Sequence, residues 1–299
     1  MESKLTEETI TITVTSSLVR CAKVMASNYA QAIGADPPEF YLDYYLNIQP
    51  HLNFLYSVGK ALQLGPRTTV VEIGSGMGTR CMLGNAIWKA RFIGVEPHPN
   101  TYAPLQNAIK EFRESNTAYS YDSLATSGED TGLPPACVDV VLSSEVLEHV
   151  QNPERVVLEM YRILKPGGRI FVSTCSYASF YEGHYRSLWI PFFRRRAGRL
   201  WIRYLGYNPT FLNEINFITR RKLVRYFQKA GFEKIRLGWH FPWETPPPLT
   251  VVYPEGFDPH CPHKRKSFWQ GFVQRARVHK LLSILGMEYK IYLEAVKPC

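Results

Sequence analysis

A strand-like run that opens into glycines is the feature that most restricts the fold of this chain. Thr68–Ile73 is rich in β-branched residues, the next five positions carry three glycines, and Cys81–Lys89 has helical composition. The first run is typical of a buried strand, and glycines between a strand and a helix let backbone N–H groups approach a ligand at the positive end of the helix. The unit therefore predicts a ligand-binding turn at the end of a buried strand.

The alternation of strands and helices continues through the centre of the chain. Lys165–Gly168 ends one helical run, because Pro and paired Gly break helices. Alternating strands and helices imply a parallel sheet with right-handed crossovers, so the sequence predicts an α/β fold. With 45% hydrophobic and 20% charged residues, the composition excludes a disordered or collagen-like chain. We predict strands at 91–95, 138–142 and 169–174, and helices at 100–114 and 153–164.

The flanks are less regular and suggest additions to this core. Residues 18–65 look mostly helical, and a helix over 220–230 ends at Gly231. Two closing strands are expected near 234–241 and 288–296, with a proline-rich surface loop between them. We predict four segments: an N-terminal helical cap at 1–66, a core at 67–180, a basic aromatic lid insertion at 181–218, and the C-terminal part of the core with its Pro-rich loop at 219–299.

The net charge of +9 is concentrated in one part of the chain. Residues 186–225 carry ten basic side chains and a single acidic one, Glu214, whereas the remaining chain is balanced with 25 groups of each sign. The charge therefore bears on the function of this segment and not on the chain as a whole.

Cysteine usage and the N-terminal sequence indicate a compartment. The six cysteines form no CxxC pair, which argues against a zinc ribbon or a disulfide framework and suits a reducing environment. No secretory signal is visible, and no run reaches the ~18 apolar residues that a spanning helix needs. We expect a cytoplasmic protein, peripheral to a membrane at most.

The glycine segment has a partner 18 residues after Gly78. Its spacing is G-x-G-x-G, not the G-x-G-x-x-G of dinucleotide binders, and no Gly-Lys-Ser/Thr follows for a phosphate loop. A glycine-rich loop on its own is as often a plain turn as a ligand-binding site. Glu96, however, ends the next strand, where an acid accepts both hydroxyls of a ribose. The pair predicts a nucleoside site at the carboxyl edge of an open α/β sheet.

Five ordered motifs extend this pattern: Glu72–Gly78, Glu96, Gly128–Pro134, Val138–Leu142 and Leu164–Gly168. Together they resemble the motifs of class I S-adenosylmethionine-dependent methyltransferases, in particular those of methyltransferase type 11 and of ubiquinone-biosynthesis O-methyltransferases. The resemblance implies a Rossmann-like sheet with an antiparallel closing strand, together with the helical cap and the inserted lid. A doubly wound oxidoreductase is the alternative, which the glycine spacing disfavours.

The resemblance also implies roles for single residues. Glu72 and the glycines would border the methionine part of the cofactor, Glu96 its ribose, and Glu129 or Asp130 its adenine. Ser143 and Ser144 would lie near the reactive sulfonium. The expected cofactor-binding residues are Glu72, Gly74, Ser75, Gly76, Gly78, Glu96, Pro97, Glu129, Asp130, Ser143 and Ser144.

Glu145-Val-Leu-Glu148-His149 follows the fourth predicted strand. On a helix these positions share one face, so two carboxylates and an imidazole would converge on one ion. The motif is similar to that of ubiquinone-biosynthesis and small-RNA 2′-O-methyltransferases, which implies a divalent metal such as Mg²⁺ with His184 as a distal ligand. The alternative is a metal-free pocket in which His149 or His184 is the base. We take His149, His184 and Tyr185 as catalytic candidates.

The lid mixes bulky apolar residues with arginines over 186–205. Three interpretations stay open: peripheral contact with a membrane or an apolar acceptor, binding of nucleic acid, and a plain lid with a solvated face. The expected substrate contacts are Tyr29, Tyr41, Tyr44, Tyr45 and Trp189.

The function expected from the resemblance is methyl transfer to a small apolar acceptor, such as a natural product, quinol or lipid-like molecule, at a hydroxyl. One alternative is an RNA or nucleoside methyltransferase that uses the basic lid. Another is a non-catalytic binding protein of the same fold. The sequence does not indicate an oligomeric state.

Overall fold

The computed structural model describes residues 9–34, 39–97, 103–239, 241–242, 244–257 and 285–299. The chain begins with β1 (Ile10–Thr13), α1 (Ser16–Ile33), α2 (Glu39–Leu46) and α3 (Ile48–Ala61). The alternating part contains β2 (Thr69–Ile73), α4 (Thr79–Trp88), β3 (Arg91–Val95), α5 (Ala103–Glu114), β4 (Asp122–Leu124), β5 (Val138–Ser144), α6 (Pro153–Ile163) and β6 (Leu164–Cys175). The rest contains β7 (Tyr181–Glu182), β8 (Ser187–Leu188), α7 (Arg195–Tyr204), a 3-10 helix (Pro209–Asn213), α8 (Arg220–Ala230), β9 (Glu233–Leu237), β10 (Leu249–Val252) and β11 (Lys290–Val296).

Seven strands form the central sheet in the order β4-β3-β2-β5-β6-β11-β9. The first five are mutually parallel, and β11 runs antiparallel to both β6 and β9. The expected Rossmann-like sheet with an antiparallel closing strand is therefore confirmed. The chain leaves β2 toward β3 and β4 and then returns to β5, so the strand order reverses beside β2. Open α/β sheets bind ligands at this kind of switch point.

Adjacent residues of the central strands face opposite sides of the sheet, as the period of two requires. Val70 and Val140 join a core with α3, α4 and α5, whereas Val71 and Val141 join a second core with α6 and α8. Because both faces are covered, apolar residues occupy successive positions in β2 and β5, as at Val70–Val71 and Val140–Leu142, and do not simply alternate with polar ones.

Helix α6 and strand β6 follow one another more closely than the sequence suggests. The N-cap of α6 is Asn152, whose Oδ1 accepts from the Arg155 amide at 3.1 Å, and Pro153 occupies the first turn. The prediction of a break at Lys165–Gly168 before a strand at 169 is wrong in its boundary, since β6 already begins at Leu164. Residues 165–168 bulge out of the ladder with β5, which pairs Val138 with Leu164 and then Val140 with Arg169, and Gly167 takes φ 75° within this bulge.

The proline-rich stretch also contains more structure than predicted. The loop expected between the closing strands holds β10, which pairs in parallel with β1 so that Ile10 lies opposite Leu249. The β1 end is further held by Asn116, whose Oδ1 accepts from the Thr13 amide at 2.8 Å. Local sequence did not reveal this pairing because the partners are more than 230 residues apart.

The lid between β6 and α8 has a small core of its own. Trp189 and Tyr185 are fully buried in it, and Tyr177 stacks on Phe217 with ring centroids 4.2 Å apart. None of the described helices is both long and apolar enough to cross a bilayer. The four-segment division of the chain stays a prediction.

The β1–β10 pair can be tested by two neighbouring substitutions. Ile12 is 1% exposed, whereas Thr11 points to solvent. We expect Ile12→Ala to lower the free energy of unfolding by about 2–5 kcal/mol through cavity formation, and Thr11→Ala to change it by less than about 0.5 kcal/mol. Urea unfolding followed by circular dichroism measures both. Equal effects of the two changes would contradict the placement of β1.

Candidate active site

A cleft of about 900 Å³ opens at the carboxyl ends of β2, β3 and β5. Its volume lies in the range of small-molecule sites, roughly 300–1,000 Å³. The lining comes from the glycine segment, the ends of β3 and β5, the turns that follow, and two residues of α2 and α3. It consists of Tyr45, His51, Ile73, Gly74, Ser75, Gly76, Met77, Thr79, Arg80, Glu96, Pro97, Ser127, Gly128, Glu129, Ser144, Glu145, Val146, His149, Val150, Gln151, Asn152 and Arg155.

The glycine segment presents bare backbone to this cleft. The Gly74 and Ser75 amides donate to the Val95 carbonyl at 2.8 and 3.2 Å, which ties the turn to the end of β3. Gly76 has φ 53°, and a Cβ added there would meet no atom within 4 Å. A side chain at this position would therefore project into the cleft. Gly78 instead caps α4, where a Cβ would lie 1.9 Å from the Tyr121 hydroxyl.

Glu96 lines the cleft next to this glycine backbone. Its Oε2 accepts from the Gly76 amide at 2.9 Å, and its own amide donates to the Leu124 carbonyl at 3.1 Å. Burial raises the pKa of the Glu96 carboxyl, although the Gly76 hydrogen bond opposes the rise. A carboxylate offers about four acceptor sites. Glu96 therefore retains capacity for hydroxyl donors of a ligand in the cleft.

Glu72 lies beneath the cleft and holds one of the side chains that line it. It is 1% exposed and does not line the cleft; its carboxylate pairs with Arg80 at 2.5 Å and accepts from the Cys81 thiol at 3.2 Å. Burial raises the pKa of Glu72 and Arg80 opposes that rise. Arg80 lines the cleft itself, whereas Glu72 lies behind it, so a direct contact of Glu72 with a ligand stays a prediction. Sequence analysis missed Arg80, although an arginine just after the glycine loop was the available signal.

The other predicted cofactor residues divide into two groups. Pro97, Glu129 and Ser144 line the cleft together with Ser75. Asp130 and Ser143 do not, which corrects their assignment. The reason for Asp130 is that its carboxylate turns back to the Gly132 amide at 3.3 Å. The reason for Ser143 is the strand period, which turns its side chain into the interior, where it is 1% exposed.

Two histidines meet beside the turn that follows β5. His149 lines the cleft, and its Nε2 lies 3.2 Å from His184 Nε2. His184 Nδ1 is 2.7 Å from Glu182 Oε1, which also accepts from the Tyr177 hydroxyl at 2.8 Å. Tyr177, Glu182 and His184 are buried, and the chain of four side chains ends at His149, which is exposed in the cleft.

The two histidines have opposite preferences for a proton. Desolvation by the surrounding protein, together with the neighbouring His184, lowers the pKa of His149 to about 4. Burial alone would lower the pKa of His184 too, but the Glu182 carboxylate raises it above the usual value. The pKa of Glu182 falls correspondingly, since its burial is outweighed by His184. A proton that enters this chain is therefore held on His184 and not on His149.

The four predicted metal ligands do not form one open site. Residues 145–149 form a turn and not the assumed helix, so their side chains do not share a face. Glu145 pairs with Lys290. Glu148 is fully buried, and its two oxygens accept from the Thr174 hydroxyl at 2.8 Å and the Cys175 amide at 3.2 Å. Among the described residues, the one group with metal-ligand spacing is Glu148, Cys175 and His184, all buried. The arrangement does not support a divalent metal.

The predicted catalytic and substrate aromatics lie at different depths. Tyr45 lines the cleft. Tyr29 and Tyr41 pack edge to face at 4.7 Å behind it. Tyr185 and Trp189 are corrected to core residues of the lid: the Tyr185 hydroxyl donates to the Asn208 carbonyl at 2.7 Å, and Trp189 is 0% exposed. The Tyr44 side chain lies outside the described residues.

Phe211 joins these aromatics to the histidines. It lies 5.3 Å from Tyr29, 5.6 Å from His184 and 6.3 Å from His149, measured between ring centroids. Sequence analysis missed it, because a single Phe in a short 3-10 helix carries no signal of its position. The histidine end of the cleft is thus walled by aromatic rings.

Comparison with known proteins identifies the region that holds this site. A family model described as a methyltransferase domain matches residues 48–237, which is more than half of the chain. An uncharacterized methyltransferase of Mycobacteroides abscessus is 34% identical over 141 residues, covering 47% of this chain and 52% of the relative. A ubiquinone biosynthesis O-methyltransferase of Pseudomonas paraeruginosa is 34% identical over 108 residues, covering 36% and 44%. The chain thus spans about half the length of the curated relatives it matches.

A solved structure gives the same result for the fold. A protein of Galdieria sulphuraria, described as a candidate sarcosine dimethylglycine methyltransferase, superposes with a TM-score of 0.51 at 11% identity and covers 82% of this chain and 84% of its own. At this identity the likeness concerns the fold alone.

The buried pair beneath the cleft yields a stability prediction. Arg80→Met leaves the buried Glu72 carboxylate without its cation, which we expect to cost about 3–5 kcal/mol of unfolding free energy. Arg91→Met removes the exposed pair with Asp122 and should cost less than about 1 kcal/mol. Chemical denaturation of both variants gives the comparison. A small loss in Arg80→Met would mean that Glu72 does not depend on this ion pair.

Proposed function

The chain belongs to the methyltransferase-domain family, and on this premise we propose that it transfers a methyl group from S-adenosylmethionine to a hydroxyl of a small, apolar acceptor. One observation carries the proposal: the glycine turn, Glu96 and His149 line a single cleft. A nucleoside-binding pair and a candidate base thus open onto the same space.

The residues present fit the methyl donor. Glu96 would hold the ribose hydroxyls, the bare Gly76 backbone would border the methionine part, and Glu129 would lie toward the adenine. When bound, S-adenosylmethionine supplies an electrophilic methyl group on a positively charged sulfur. The task of the chain is to align the acceptor oxygen with that group, to exclude water, and to take the proton of the hydroxyl.

The histidine chain performs the last task. Glu182 holds the proton of neutral His184 on Nδ1, so His184 Nε2 is free to accept the hydrogen bond from His149 Nε2–H. His149 Nδ1 then carries no proton and can accept one. As the acceptor hydroxyl gives its proton to His149 Nδ1, the proton on His149 Nε2 passes to His184. The imidazolium that results is stabilised by the Glu182 carboxylate. No divalent ion takes part in this route.

The apolar acceptor is supported by the apolar part of the lining. Tyr45, Met77, Val146 and Val150 line the cleft, and Phe211 packs on His149. The matched ubiquinone biosynthesis O-methyltransferase points in the same direction, at low coverage. An RNA or nucleoside acceptor remains the alternative for the same chemistry, and a non-catalytic binding protein the alternative to catalysis.

Donor binding is tested at Glu96. We expect Glu96→Gln to weaken S-adenosylmethionine binding at least about tenfold, since hydrogen bonds to a charged group contribute roughly 1.5–3 kcal/mol. Isothermal titration calorimetry measures the affinity. Glu233→Gln, a matched change at an exposed position of β9, should leave the affinity unaltered. The absence of binding by the unmodified protein at millimolar donor would refute the proposed function.

Methyl transfer and its base are tested with a labelled donor against phenols, catechols, quinols, lipids and small RNA. With the acceptor so identified, His149→Ala should lower kcat about 10²–10⁴-fold while donor binding persists. The rate of the unmodified protein should rise with pH through a pKa above 6.5, because His184 must be neutral to receive the proton. Glu182→Gln removes the charge that raises this pKa and should move the rise to lower pH.

Three results would contradict this chemistry. A pH profile unchanged in Glu182→Gln would separate the rate from His184. Full activity of His149→Ala would exclude it as the base. Loss of activity on exhaustive chelation, restored by a divalent ion, would return the metal to the site. Methylation of RNA alone would select the nucleic-acid alternative.

A further inference from the structure

The outer side of the lid carries apolar and cationic residues that the proposed chemistry does not use. Helix α7 packs inward through Gly198 and Ile202, and a Cβ at Gly198 would lie 2.4 Å from the Trp189 ring. Leu200 is two residues from each of these, or about 200° around the helix, and therefore points away from the protein. It is 67% exposed.

Apolar side chains flank Leu200 on one side of the helix. Phe193, Ala197, Leu200, Trp201 and Tyr204 recur at intervals of three, four and seven residues and line a shallow groove of about 440 Å³. Tyr204 is 80% exposed, so this groove is open to solvent. Its apolar surface is continuous along almost three turns of the helix.

Arginines flank Leu200 on the other side. Arg196, Arg199 and Arg203 follow one another at i, i+3 and i+7, which places them in one stripe. Within the described part of the chain, none of the three forms an ion pair with a carboxylate. Arg195 differs, since its guanidinium donates to the Asn213 and Ile215 carbonyls at 3.0 and 2.8 Å and holds the lid together. Three unneutralised cations therefore border the apolar groove.

Phe192 adds a second exposed ring just before the helix. It is 67% exposed with φ 62°, a conformation that is uncommon for a bulky residue. Its amide donates to the Tyr177 carbonyl at 3.1 Å, so the backbone beneath the exposed ring is fixed. The lid thus holds a large apolar side chain in water at a conformational cost.

We propose that this surface, the arginine–aromatic face (Phe192, Phe193, Arg196, Arg199, Leu200, Arg203 and Tyr204), docks the protein onto an anionic phospholipid membrane. Helix α7 would lie in the plane of the interface, with Leu200 and the rings among the acyl chains and the three arginines at the phosphate headgroups. The docking does not depend on the proposed methyl transfer.

Charge and shape favour a membrane over nucleic acid. Proteins that bind single-stranded nucleic acid combine cations with a series of open ring faces on which successive bases stack. Here the outermost residue is the aliphatic Leu200, and Trp201 is occupied, because its indole N–H donates to the Leu188 carbonyl at 2.8 Å and its ring stacks on Tyr204 at 5.7 Å. An aliphatic apex with arginines along one side matches a lipid headgroup layer.

Vesicle co-sedimentation of the full chain tests the proposal, with phosphatidylcholine vesicles and with vesicles containing a quarter phosphatidylglycerol, at low and high salt. We expect binding to the anionic vesicles that weakens with salt. The triple change Arg196→Gln, Arg199→Gln and Arg203→Gln should lower the partition coefficient about 100-fold. Leu200→Ser should lower it about tenfold.

The matched control removes the same charge elsewhere. Arg221→Gln, Lys222→Gln and Arg225→Gln alter three exposed cations of α8 and should retain most of the binding. An equal loss in this control would overturn the proposal, since binding would follow net charge alone. Vesicle binding that is unaffected by Leu200→Ser, or absent at low salt, would also overturn it.

The rival partner is tested in the same series. Electrophoretic mobility shifts with a 20-nucleotide RNA at both salt concentrations measure nucleic acid binding by the same variants. RNA binding that depends on the three α7 arginines, without vesicle binding, would overturn the membrane proposal in favour of nucleic acid. Circular dichroism melting of each variant should match the unmodified protein, because every substituted side chain is on the surface.

Discussion

The backbone register of three parallel strands, β2, β3 and β5, determines where the turns that line the cleft lie. Ile73 at the end of β2 lies opposite Val95 of β3 and Ser143 of β5, so all three strands finish at one level. Each is followed by a turn that lines the cleft. Because strand side chains alternate, a slip of one residue in either pairing would turn Glu96 or Ser144 away from it. The continuous apolar runs of β2 and β5, buried on both faces, hold that register.

Two buried carboxylates support the cleft from below, and they do so by different balances. Glu72 is buried so deeply that its pKa rises in spite of Arg80, whereas for Glu182 the interaction with His184 outweighs burial. In both cases the carboxylate itself does not line the cleft and holds a nitrogen side chain that contacts the cleft directly or through His149. Such buried carboxylates orient the side chains of the cleft although they do not line it themselves.

Sequence patterns predicted the central sheet, and they brought the glycine turn and Glu96 to one edge of it, because both depend on local signals. The glycine spacing and the strand ends at Ile73 and Val95 suffice to locate Glu96. The arrangement around the two histidines was harder to predict from the sequence. The spacing of Glu145, Glu148 and His149 suggested a shared helical face, but the chain turns there and separates them. The β1–β10 pair and the packing of Phe211 depend on contacts distant in sequence, which no local pattern encodes.

The lid links the outer surface to the histidine chain through one residue. The Phe192 amide donates to the Tyr177 carbonyl, and the Tyr177 hydroxyl donates to Glu182, which holds His184. Tyr177 is further fixed by stacking on Phe217 and by edge contact with Trp189, the ring against which Gly198 of α7 packs. Native interiors are close-packed, so a displacement of α7 cannot leave Tyr177 in place. The arginines therefore lie on the outer side of α7, while the inner side of the same helix packs against Trp189, which contacts Tyr177, the hydrogen-bond partner of Glu182. The two sides of the lid are constrained together for this reason.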